Sequence, residues 1–171
     1  MPNWCSNRVR VCLKEGDNVE DMKEFKELVK GENGRPFSFN SIIPMPEELH
    51  TVQSPVRIMT EEEIEEYKKK HSDSEWMIGT LPITKEYSDE LLEKYGDNNW
   101  YDWCINNWGV KWDCADGTIT EEFADLELTY TFDTPWGPPQ EIYDVLTAKF
   151  PNLRLTWFWD EPGCEQAGYL Q

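Results

Sequence analysis

Four tryptophans, Trp100, Trp103, Trp108 and Trp112, fall within thirteen residues, and their spacing dictates how the middle of this chain folds. Trp100, Trp103, Cys104 and Trp108 recur on one face of a helix, and Gly109 stands where a helix ending in the left-handed conformation wants a glycine. Trp112 and Cys114 then alternate with Lys111 and Asp113, which predicts a half-buried strand over 110–115. The segment specifies packing and contains no nucleophile, base or ligand set. It constrains the fold more than the activity.

The same periodicities organise the rest of the chain. Val9 and Val11 alternate with Arg8 and Arg10, predicting a strand over 6–13, and Gly16-Asp17-Asn18 marks a turn. Val19, Met22, Phe25, Leu28 and Val29 mark a helix stopped by Gly31, and 37–43 reads as a second strand ended by Pro44-Met45-Pro46. Residues 47–95 have few apolar positions and read as an insertion of short helices and loops in a single domain spanning 1–171. Asp97 is the expected N-cap of the tryptophan helix. After that helix, Asp116-Gly117 signals a hairpin turn and 125–133 a long strand. Ile142, Val145, Leu146 and Phe150 form the stripe of a further helix, and 153–160 and 166–170 complete the strands. This order predicts an α+β fold, a ferredoxin-like antiparallel sheet with helices on one face.

Composition narrows the function classes. The 171 residues make about one domain, with nine tryptophans, seven tyrosines and seven phenylalanines to fill a core. No stretch approaches the ~20 apolar residues of a membrane helix and the start lacks a signal-peptide pattern, so a cytoplasmic protein is expected. The five cysteines show no C-x-x-C spacing, and His50 and His71 stand apart from any second ligand or base. No metal, cofactor or enzymatic activity is therefore expected. Thirty-four acidic against sixteen basic residues give a formal charge of −18, and residues 113–171 alone hold twelve acids and two bases. Such a field repels nucleic acid and anionic membranes and attracts basic protein surfaces.

Three runs carry a family resemblance: Asn-Trp-Gly-x-Lys-Trp-Asp at 107–113, Phe-x-Thr-x-Trp-x-Pro-Pro at 132–139, and Met-Pro-Asn-Trp-Cys-x-Asn at 1–7. They resemble the YubB ferredoxin-like family, whose members are encoded by phages, prophages and plasmids. The resemblance implies the fold and a mobile-element origin and brings no catalytic residues with it.

Two functional expectations follow from the residues. In the long strand, Leu126, Leu128, Tyr130 and Phe132 alternate with Asp125, Glu127, Thr129, Thr131 and Asp133. With Asp113 and Asp160 from neighbouring strands, the acids Asp125, Glu127 and Asp133 would form a carboxylate array. Such an array could occupy the basic groove of a host nucleic-acid-binding or defence protein by copying phosphate charge. The alternative is a protein that sequesters a nucleotide-like ligand in an aromatic pocket, with Trp136 and Arg154 as contacts and local positive charge from Arg8, Arg10, Arg35 or Arg154. A phage structural or interaction protein is a further alternative, and oligomeric state is open.

Overall fold

A computed structural model describes residues 3–14, 16, 18–71 and 80–171. Met1 and Pro2 of the N-terminal motif, Asp17 of the expected turn and 72–79 of the expected insertion lie outside the described residues. The chain divides into two compact units, Met1–Pro44 with Asn106–Gln171, and Met45–Ile105.

The first unit opens with β1 (Trp4–Leu13), which buries Cys5, Asn7, Val9 and Val11 and exposes Trp4, Ser6, Arg8 and Arg10. Helix α1 (Val19–Val29) starts where the Asn18 side chain accepts from the Glu20 N–H, and it buries Met22, Phe25 and Val29. A single helical turn, α2 (Phe39–Ile42), follows.

The second unit holds α3 (Glu47–His50), α4 (Glu61–Lys70) and α5 (Lys85–Tyr95). Thr60 and Glu63 form a reciprocal capping box at the start of α4, which buries nothing. Leu49, Val52, Ile83 and Leu91 supply this unit's core, and parallel bridges join Val52 to Leu81 and Ile58 to Ile83. The tryptophan helix, α6 (Trp100–Trp108), crosses the division at Ile105. Its cap is Asn99 and not the expected Asp97: Asn99 Oδ1 accepts from the Asp102 N–H at 3.0 Å. Trp103, Cys104 and Trp108 are buried as the spacing predicts.

Back in the first unit, β2 (Ala115–Phe123), β3 (Glu127–Pro135), α7 (Gln140–Lys149), β4 (Leu153–Glu161) and β5 (Gln166–Tyr169) complete the fold. The sheet order is β2-β3-β1-β4-β5, antiparallel throughout. With α1 and α7 between their strands, this is the ferredoxin-like arrangement. Three local expectations fail for identifiable reasons. The segment 37–43 is not a strand, because β3 and β4 already occupy both edges of β1 and because Asp113 seizes its backbone: Asp113 Oδ1 accepts from the Phe39 N–H at 2.6 Å and Oδ2 from Ser38 Oγ at 2.6 Å. Residues 110–114 form a loop, and the strand starts at Ala115. Asp116-Gly117 makes a bulge inside β2, with Asp116 at φ +51°, while the β2–β3 turn lies at Ala124, Asp125 and Leu126. That turn leaves Leu126 exposed where burial was expected.

Aromatic rings fill the core between the sheet and its helices. Phe37 packs on Phe132 (4.9 Å between centroids), Tyr130 (5.3 Å) and Trp157 (6.1 Å), and Phe25 of α1 packs on Phe150 (5.3 Å). A buried polar chain crosses the three central strands. Trp157 Nε1 donates to Asn7 Oδ1 (3.0 Å), Asn7 Nδ2 donates to Thr134 Oγ1 (2.7 Å), and Thr134 Oγ1 donates to the Gly137 carbonyl (2.7 Å).

Replacing Thr134 with valine removes an acceptor and a donor from this chain. We expect a loss of about 1–3 kcal/mol in urea unfolding, against a near-zero change for Thr131→Val on the open face; equal effects would show that the chain is not a stabilising link. In the second unit, Lys94, helped by a backbone N–H and the Tyr95 hydroxyl, holds the exposed Glu48 carboxyl at about 2, below its ordinary 4.5. A carboxylate with a depressed folded-state value contributes stability that is complete above about pH 4.5 and lost as pH falls toward about 2. Glu48→Gln should flatten that acid limb in melting temperatures recorded across the same window.

Candidate interaction surface

Helices α1 and α7 cover one face of the sheet and leave the other open, and the register places side chains on the open face row by row. Ser6 of β1 lies between Asp133 of β3 and Asp160 of β4, and Ser6 Oγ donates to Asp133 at 2.9 Å. In the next row Arg8 sits over the Phe158 ring, 5.6 Å from its centroid, and Phe158 packs edge-on against Tyr169 at 5.2 Å. Arg10 then forks onto Glu127, with Nε to Oε1 at 2.7 Å and Nη2 to Oε2 at 2.8 Å. Its guanidinium holds the Glu127 carboxyl below the usual range.

This face is mixed in charge and differs from the expected array of five carboxylates. Glu127, Asp133 and Asp160 face it, but Glu127 is paired with Arg10. Asp113 stands in the loop before β2, where it fastens Ser38, Phe39 and the Cys114 N–H. Asp125 sits in the β2–β3 turn, ion-paired to Lys26 of α1 at 3.0 Å. The second expected pair does not meet either. Trp136 follows Pro135, the partner of Trp4, whereas Arg154 pairs with Cys12. Eight residues of β1 separate the two positions, about 27 Å of strand, so no single pocket holds both.

The structure instead gathers three exposed tryptophans at the Trp136 end of the sheet. Trp4, Trp112 and Trp136 are 42%, 42% and 58% exposed. The rings of Trp4 and Trp112 lie 6.5 Å apart, and Lys111 Nζ stands 3.9 Å from the Trp112 centroid and 6.0 Å from that of Trp136. Each position is built by the local chain. Gly109 ends α6 at φ +79°, where any Cβ would run into Glu141 Oε2, and so turns the chain into the Lys111-Trp112 loop. Trp136 itself adopts φ +73°, a region costly for a bulky residue, with its N–H donating to the Asn3 carbonyl at 2.9 Å. An exposed tryptophan held in a disfavoured conformation is a mark of function more than of packing.

The abundance of tryptophan points to core packing and hides Trp4 and Trp112 as surface residues. One signal was present: Trp4 shares the parity of Ser6, Arg8 and Arg10, the polar side of β1. Among the described residues no group of three or more His, Cys, Asp or Glu could hold a metal, and no helix is long and apolar enough to cross a membrane.

Comparison with known proteins agrees with this architecture. The search of curated proteins finds no match. A solved structure described as protein api92 from Yersinia pseudotuberculosis is similar over 99% of this chain and 93% of its own, with 13% identity and a TM-score of 0.52, a likeness of fold. Residues 107–171, which contain β2, β3, α7, β4 and β5, match the family model described as the ferredoxin-like domain in Api92-like protein.

Proposed function

We propose that this chain is a non-enzymatic binding domain that engages a basic protein surface through Trp4, Trp112 and Trp136 together with Asp133 and Asp160. The observation that carries the reading is the exposed tryptophan cluster, one of whose rings, Trp4, lies two residues along β1 from the row that holds both carboxylates. Two strand residues span about 7 Å, so a lysine or arginine resting on the Trp4 ring has a carboxylate within side-chain reach. Aromatic anchors supply affinity and the acidic field supplies steering, a division common at protein interfaces.

The −18 charge falls equally on the two units, 19 acids and ten bases in the first, 15 and six in the second. A basic partner would therefore meet attraction from either unit. The motif runs at 107–113 and 132–139 support a kinship with the YubB family and a phage or plasmid origin. In that setting the partner is a host protein of the bacterial cytoplasm, and a nucleic-acid-binding defence protein offers the basic groove such a surface fits. Asp133 and Asp160 are the carboxylates that would stand in for phosphates; Glu127, Asp125 and Asp113 are held within the domain.

The test is capture from host lysate at low and high salt by the tagged chain, followed by affinity measurement on the retained protein. A basic partner should bind in a salt-sensitive manner. Trp136→Ala should weaken it about thirtyfold, and Asp133→Lys with Asp160→Lys should abolish it. Retention unchanged in both variants, or a partner with no basic surface, would sink the proposal.

A further inference from the structure

A second site lies on the helix side of the first unit, where α1, the loop after it and the β2 edge enclose a concavity of about 210 Å³. Three cations, Lys26, Lys30 and Arg35, line it, in a chain whose net charge is −18. Lys26 is committed, with Glu122 at 2.8 Å and Asp125 at 3.0 Å. Lys30 reaches Glu27 only at 4.0 Å and Arg35 reaches Asp113 only at 3.9 Å, the outer limit of ion pairing, so both are available to a ligand. Glu27 and Glu122 also line the space, while Ile119 and Pro36 give it an apolar wall.

The independent observation is Tyr130, which lines the same concavity. Its side chain is 1% exposed and packed between Phe25 and Phe37, yet its hydroxyl forms no hydrogen bond among the described residues. The ring is buried and the hydroxyl is the part of it that opens to the concavity, where a phenol so deeply packed ordinarily finds a partner. Burial, with Glu122 nearby, pushes its titration up, so the group stays a neutral donor. A donor without an acceptor, opening toward two weakly paired cations, suits an oxyanion.

We propose that this concavity binds a small oxyanion of the phosphate or phosphate-monoester class, with its oxygens accepting from the Tyr130 hydroxyl and pairing with Lys30 and Arg35. Sites for larger ligands run to roughly 300–1,000 Å³, so this one holds a phosphoryl group and a few further atoms and excludes a nucleotide. Of the arginines read from the sequence as a local positive site, only Arg35 belongs to it. Arg8, Arg10 and Arg154 stand on β1 and β4, on the side of the sheet away from the helices.

The experiment is calorimetric titration of the full chain with inorganic phosphate and, separately, phenyl phosphate, at ionic strength held constant with chloride. Saturable binding is expected, weakened about tenfold in Tyr130→Phe, a variant that removes no protein hydrogen bond and should melt as the parent does. Lys30→Gln with Arg35→Gln should abolish it, and Lys149→Gln, which removes one positive charge at an exposed position on α7, should leave it intact. Tighter binding of phenyl phosphate assigns the site to monoesters, and equal binding assigns it to the free ion; either supports the proposal. Absence of saturable binding, an unaffected Tyr130→Phe, or an equal loss in Lys149→Gln overturns it.

Discussion

The side chain of Asn7 is the polar link on which the first unit depends. It stands at the middle of the sheet, on the buried face of the strand that both β3 and β4 pair with, and it bonds to side chains of both. Apolar packing alone tolerates sliding, because one valine replaces another; an amide that must meet the Trp157 indole on one side and the Thr134 hydroxyl on the other does not. A register slip of one residue would carry Asn7 to the solvent face and leave both partners unsatisfied in the core. Through Thr134 the same chain reaches the Gly137 carbonyl and so anchors the loop that presents Trp136.

Charge in this protein is distributed by commitment more than by count. Glu127 and Arg10 satisfy each other in a bidentate pair, Lys26 binds two acids of the β2–β3 hairpin, and Asp113 caps a helical turn. Each of these carboxylates belongs to the domain's own structure and offers little to a partner. Asp133 and Asp160, divided by Ser6, keep most of their capacity for a ligand from outside. A large net charge thus sets the long-range field, and the contact surface is the small remainder that the fold does not use.

The sequence made the architecture readable where periodicity and burial coincide. β1, α1, α6, α7 and β4 follow their apolar stripes, and the strand–helix order predicts the sheet that forms. It misled where tertiary bonding overrides local pattern. Phe37 and Phe39 alternate like strand residues, yet both enter the core from a turn that Asp113 holds from 74 residues away. Asp116-Gly117 does use the left-handed conformation that the dipeptide favours, but in a bulge and not in a hairpin turn. The pocket around Tyr130 was illegible because its cations come from positions 26, 30 and 35 and its hydroxyl from 130; only the packing of α1 against the sheet brings them together.

The tryptophans show why abundance alone misdirects. Buried indoles here have committed polar edges: Trp157 Nε1 donates to Asn7, and Trp108 Nε1 donates to the Ile43 carbonyl at 3.0 Å. Those of Trp4, Trp112 and Trp136 donate to nothing among the described residues, and their rings stay partly in water at a cost in apolar exposure. For Trp136 a backbone penalty of roughly 1–2 kcal/mol is added. A core residue would relax both costs by turning inward. Holding them at one spot, with a cation over one ring and two carboxylates a row away from another, is the ground for the proposed binding surface, and it is this accumulation that separates the surface tryptophans from those that merely fill the fold.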